Sequence, residues 1–373
     1  MNIRSVRLAR VMTLAASIPV LSVLVFAQTA KPVRATRTSI DGPSSLGLYK
    51  DTYLFVVQFG DDKPRVRRID LKNHTIITVA GNGKDCCYLE GAPATEVGFD
   101  WITSIAVDSH GNLFIADSEH VRKVDARNGH IVTVSGNGKD GNPVEGLPAL
   151  STSFVSIQGL AVDSADDLLI SSGNSLFEID STSGLVSRVA GNGTAGFSGD
   201  GGLAVDASFL DPRSIAFDPS GNIVVADVEN CRVRRIDHAT GIIDTVAQTG
   251  GLNQNCPPQK GVIPWQPSPD DPVVDPKGNV YFDEPSVGLV ARAGATPEKP
   301  IIVAGTGEKG LSRDGCQATS AKLNNPSGLA VDAPGNLFIA DFVNNRIFRV
   351  DAKTKTITTV AGNGLPHRLD PDL

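Results

Sequence analysis

An all-β fold, a six-bladed β-propeller of four-stranded blades, is what this 373-residue sequence predicts, and three observations carry the prediction. A strand-like ending, TIITVAGNG around Val79, returns in related form at Val134, Val189, Val246, Val303 and Val360, every 55 to 57 residues. A second marker keeps the same phase: SIAVD ending at Asp108, GLAVD at Asp163, SIAFD at Asp218, PVVD at Asp275 and GLAVD at Asp332. Third, no segment holds a helical period, while each copy divides into four short runs of β-branched and apolar residues. A four-strand unit repeated at this spacing is the signature of a propeller blade.

The elements follow in chain order. Residues 1–27 begin with Arg4, Arg7 and Arg10, continue with an uncharged apolar run from Val11 to Phe26, and offer Val25 and Ala27 to a signal peptidase. The run is short for a membrane span and Pro19 interrupts it. An export signal is therefore expected, with the mature chain starting near Gln28 in a secreted or periplasmic setting and not inserted in a membrane. Residues 28–43 form a lead-in, 44–364 the propeller and 365–373 a tail. In the last copy the strands read GLAVD, NLFIAD, NRIFRVD and TITTVAG, with APGN and AKTK as tight turns. The first copy is degenerate, and residues 32–40 are free to add an edge strand. Small residues in IAVD and LAVD suit the crowded axis, and the bulkier LFI of the second strand suits packing between blades.

These motifs resemble the NHL repeat. NNPSGLAVDAPGNLFIADFVNNRIFRVD at 324–351 and DPRSIAFDPSGNIVVADVENCRVRRID at 211–237 carry the resemblance, and the linker GNGTAGFSGDGGLAVDASF at 191–209 is similar to the Gly-rich linker of bacterial, teneurin-like arrays. The resemblance covers residues 44–364, with copies one, three and five divergent. It implies a binding platform more often than an enzyme.

Strand alternation sorts the loops onto two faces. Short turns occupy one, and long linkers with the second-to-third turns occupy the other, where binding sites are usually built. Trp101, Glu119, His120, Arg213, Glu229, Trp265 and Phe342 are candidate contacts there. Repeat phase places Thr103, Gln158, Arg213, Asp270 and Ser327 at the channel mouth, with Arg213 and Asp270 able to pair across blades. All five cysteines fall on the linker face, and Cys231 with Cys256 is the candidate disulfide. Asp117, Asp227, Asp341 and Glu284 share one repeat position, which points to turn hydrogen bonds rather than metal binding.

The formal charge of −7 argues against nucleic acid or anionic lipid as partner. Of six histidines only His120 maps to the linker face, so a His-ligated zinc site has no support, and the zinc ligands of the amidating lyase among NHL propellers do not carry over. Asp270, Asp271 and Glu119 do not form a converging trio by phase, as the axial metal of six-bladed lactonases would need. GNGTAG follows a strand but introduces no helix, so it is no dinucleotide loop. The sequence thus predicts a non-enzymatic module, without cofactor or metal, that binds a protein, peptide or glycan through its linker face. The alternative is a metal-dependent hydrolase or lyase with its site at the axial channel mouth.

Overall fold

The structure is a computed structural model that describes residues 32–60, 63–84, 89–250 and 269–365. Its strands form six antiparallel sheets, each a meander in chain order. In blade 6, Pro326–Val331, Leu337–Asp341, Arg346–Val350 and Ile357–Ala361 pair in succession. The innermost strands of blades 1 to 6 are Pro43–Tyr49, Ile102–Val107, Ile157–Val162, Pro212–Phe217, Asp270–Val274 and Pro326–Val331. Blades 1 and 4 gain a fifth, outer strand. Val33–Arg34 pairs with Thr75–Ala80, and Gly202–Leu203 pairs with Ile242–Gln248. The six-bladed, all-β reading of the repeat is thus realised, including an added edge strand within 32–40.

Turn chemistry explains the second marker, the Asp that ends each AVD-like motif, and the Asn four residues beyond it. In blade 6 the Asp332 carboxylate accepts from the Asn336 amide at 2.6 Å and from Asn336 Nδ2 at 2.7 Å. Asn336 Oδ1 then accepts from Ala352 N at 2.9 Å, tying the first turn to the third. Asp108, Asn112 and Ala126 repeat this in blade 2, and Asp218, Asn222 and His238 in blade 4. Asp followed four residues later by Asn is therefore turn chemistry, and in blade 3 Asp167 takes the place of the Asn.

Among the described residues the core is divided. Six separate apolar clusters lie between neighbouring blades. Phe55, Phe114, Phe282 and Phe338 of the second strands are buried in them, each such ring contributing roughly 1.5–3 kcal/mol. Linkers supply the rest through one pattern: Ala94 to Phe99, Ala149 to Phe154, Ala204 to Phe209 and Ala318 to Leu323 begin and end on buried side chains. Each starts in a short 3-10 turn that accepts the Gly amide of the preceding strand ending, as Gly81 N to Ala94 O and Gly136 N to Ala149 O, both near 3 Å. Each also docks on the outer strand of the next blade, as Ala94 N to Gly129 O.

Residues Ala35 to Ile40 are one more copy of this clasp. Gly362 N donates to Ala35 O at 3.0 Å, Asn363 N to Thr38 O at 3.1 Å, and Ala35 N to His74 O at 3.0 Å. The lead-in therefore joins blade 6 to blade 1 and closes the ring.

Candidate functional site

At the linker-face mouth, the first residues of the innermost strands bulge and bind their neighbours around the axis. Ile105 N donates to Ser45 Oγ at 3.2 Å, Leu160 N to Ser104 Oγ at 3.1 Å, and Ser171 Oγ to the Arg213 carbonyl at 2.7 Å. From blade 4 onward carboxylates take over. Ser214 Oγ donates to Asp271, and Gly328 N donates to Asp283 Oδ2 at 3.1 Å. Arg213 pairs with Asp270 of the next blade at 3.3 Å and with Asp211 at 2.8 Å, the cross-blade pair that repeat phase suggests. Burial works against the Arg213 charge, but Asp270 and Asp211 outweigh it and raise its pKa. Thr103 Oγ1 is spent on the Ile157 carbonyl, Gln158 on Ser156, and Ser327 on the Asn325 carbonyl.

The remaining sequence candidates are dispersed. Trp101 is 59% exposed and its ring lies 4.9 Å from that of Phe59. His120 is partly buried near Glu119, and burial and Arg122 lower its pKa. Glu229 and Phe342 are partly buried, the Phe342 ring lying over Gly42. Trp265 and Cys256 lie outside the described residues. Cys231 is disulfide-bonded and Cys316 is a free thiol. Asp227 and Asp341 accept linker amides, Leu210 N and Asn324 N, both at 2.9 Å. Burial lifts Asp227 to about 6 and Asp341 to about 7.

A different group converges on the short-turn face, where the innermost strands of blades 2 and 3 end. Asp108, His110 and Asp166 each offer a ligand atom within 4.8 Å of the others, the one such group of three among the described residues. His110 Nδ1 lies 3.0 Å from Asp166 Oδ2. Ser109 fixes Asp166 with its amide at 2.9 Å and its hydroxyl at 2.8 Å. Burial pushes the Asp166 pKa up, yet these bonds and His110 bring it below the usual range, so the carboxylate stays ionised. Asp108 is the buried member, held by the His110 and Asn112 amides, with Lys123 Nζ 3.6 Å away. The trio lines a pocket of about 480 Å³ that Lys123 and Arg127 also border.

The conspicuous member is Asp166. The corresponding turn position is Gly111, Gly221, Gly278 and Gly335 in blades 2, 4, 5 and 6, all left-handed. Asp166 adopts the same left-handed backbone at φ 65, a conformation that costs a non-glycine residue about 1–2 kcal/mol. The sequence held this signal as SADD against SHGN, PSGN, PKGN and APGN. In the sequence His110 falls in a first-to-second turn, and its partner Asp166 lies 56 residues away on the facing turn of blade 3.

Fold and repeat together define the class: this is an NHL-repeat-containing six-bladed β-propeller. The NHL repeat matches at residues 209–236 and 323–349. Mouse teneurin-1 is 29% identical over 231 residues, 54% of this chain but 8% of that far longer protein. An auxiliary nutrient binding protein from Bacteroides thetaiotaomicron superposes with a TM-score of 0.55 at 16% identity, over 86% of this chain and 70% of that one. Virginiamycin B lyase from Staphylococcus aureus, solved with quinupristin, superposes with a TM-score of 0.50 at 11% identity, over 90% and 89%. At these identities the structural likenesses establish the shared fold.

The expectation of a non-enzymatic platform is corrected here. The ligand trio Asp108, His110 and Asp166 assembles where the sequence reading saw no support for a histidine site, and the architecture is one that lyases also use. The physical reason is that a strand-ending turn on one blade faces the equivalent turn of the next, so ligands 58 residues apart meet across a blade boundary.

Proposed function

We propose that this propeller is a metal-assisted lyase or hydrolase centred on Asp108, His110 and Asp166, in the pocket between blades 2 and 3. The observation that supports the reading is Asp166: an ionised carboxylate in a backbone conformation that four sister turns give to glycine, bonded toward a histidine. Strain of this kind persists where something is gained from the side chain. The donor set fits a divalent ion, with two carboxylate oxygens and one imidazole nitrogen leaving positions for water and substrate. When bound, such an ion supplies Lewis-acid polarisation of a carbonyl and a more acidic water. The chain's own groups do the positioning. Ser109 and His110 orient Asp166, the turn amides orient Asp108, and Lys123 and Arg127 give the pocket a cationic wall suited to an anionic substrate group. The basic start and apolar run of residues 1–27 support action outside the cytoplasm.

The test is metal binding by the intact protein, measured by calorimetric titration with Mn²⁺ and Zn²⁺ and by elemental analysis. One ion per chain is expected in the wild type. Asp166→Gly restores the residue of the sister turns, should fold, and should lose the ion. No binding by the wild type, or equal binding by Asp166→Gly, would overturn the proposal.

A further inference from the structure

The opposite, linker-face mouth carries a second anomaly. Asp283 stands at the fourth position of its strand, VYFDE, where the equivalent strands carry Ala116, Ser171, Ala226 and Ala340. It is fully buried. Its Oδ2 accepts from Gly328, but its Oδ1 is buried without a hydrogen-bond partner. Asp270 is its paired residue on the innermost strand, and Asp271 follows in the bulge at φ 33. Asp271 in turn replaces Ser104 and Ser214 of other blades. Arg213 pairs with Asp270 and Asp211, while Asp271 accepts only the Ser214 hydroxyl and Asp283 only the Gly328 amide. Burial, then Asp271 and Asp270, hold the Asp283 pKa well above the ordinary range, and burial with Asp270 lifts Asp271 to about 7. Carboxyl groups placed where alanine and serine suffice elsewhere cost stability, because buried charge needs a partner.

We propose that this axial mouth binds an organic cation, a primary ammonium or guanidinium group, between Asp270, Asp271 and Asp283. A single metal ion does not suit the carboxylates, whose oxygens do not converge as closely as those of the short-turn trio. An ammonium or guanidinium spreads three to five N–H donors over a wider span and reaches acceptors that one ion cannot. On the same face the Phe59 ring lies 4.9 Å from that of Trp101, and Phe59 and Phe342 both border Gly42. The site is separate from the short-turn trio and does not rest on it.

The test uses agmatine, which carries both head groups, n-butylammonium, and n-butanol as a neutral isostere, with Ca²⁺ and Mg²⁺ in parallel. Calorimetry and thermal shift are run at pH 8. The two cationic amines should bind and raise the melting temperature, and butanol should not. Asp283→Ala, which installs the residue of blades 2, 4 and 6, should fold and weaken agmatine by about tenfold or more. Asp166→Gly should leave agmatine binding unchanged, which separates this site from the metal trio. Binding of Ca²⁺ or Mg²⁺ in preference to the amines, no binding of any cation, or agmatine binding that survives Asp283→Ala would each overturn the proposal.

Discussion

Arg234 and Arg235 are neighbours in one strand, and their replacement by alanine should have opposite consequences. The Arg234 side chain is fully buried. It donates to Ser208 O at 2.9 Å, Ser198 O at 2.8 Å and Asp200 Oδ1 at 2.8 Å, and its guanidinium lies 3.6 Å from the equally buried Asp227 and 4.9 Å from the Phe209 ring centre. Asp200 also accepts the amide and hydroxyl of Thr245, so the guanidinium pins the Gly-rich linker to the outer strand. Removing one partner of a buried pair leaves the other charge uncompensated, at about 3–5 kcal/mol. Arg235 is 40% exposed and pairs with Asp218 at 2.8 Å, a surface interaction of about 0–1 kcal/mol. With unfolding entropy near 2.1 cal/mol/K per residue, the roughly 310 described residues give about 0.7 kcal/mol/K. Arg234→Ala should then lower the melting temperature by about 4–7 °C and Arg235→Ala by less than about 1.5 °C. Differential scanning calorimetry at one pH and scan rate reads both. Equal shifts, or a fall of under 2 °C for Arg234→Ala, would refute the assignment of the Gly-rich linker as a charge-anchored clasp.

Stability should also depend on pH with an unusual sign. Burial lifts Asp271, Glu284 and Asp341 to about 7 and Asp117 and Asp227 to about 6. An unfolded chain gives up these protons near pH 4, so between pH 4 and 7 the fold binds more protons and loses stability as pH rises. The melting temperature should be higher at pH 5.5 than at pH 8, and an equal or lower value in a calorimetric pH series would contradict it. A methyl group added at Gly159 would lie 2.3 Å from the Arg213 carbonyl, a backbone atom that cannot swing aside. Gly159→Ala should cost about 1–3 kcal/mol, and an unchanged urea midpoint would count against the tight contact of blades 3 and 4.

The blades were legible because their markers answer to local chemistry: Asp108 and Asn112 close a turn wherever they occur. Phase also located the Arg213–Asp270 pair, since equivalent residues on adjacent blades must be neighbours. The candidate sites were harder to read because they sit where the repeat deviates. Asp166 replaces a turn glycine in divergent copy three, and Asp283 replaces a small residue in divergent copy five. Each looks like decay of the motif until the facing turn or strand is known. The Ala35–Ile40 clasp was missed for a related reason. ATRTSI precedes the first blade, so it reads as a lead-in, although its spacing from Ala35 to Ile40 matches that from Ala94 to Phe99.

That clasp makes the ring a split washer. Elsewhere a strand ending meets its clasp within a short stretch, as Asn82 does with Glu96, 14 residues apart. At the seam, Ser39 reaches Leu365 across 326 residues. Closing so long a loop costs about 3 kcal/mol more in chain entropy than closing a linker. On chain entropy alone, the junction of blades 6 and 1 should be the last to form and the first to part. Joining residue 365 to residue 33 through a short link and opening the chain in another linker would turn that seam into an ordinary linker and move the weak point to the new cut.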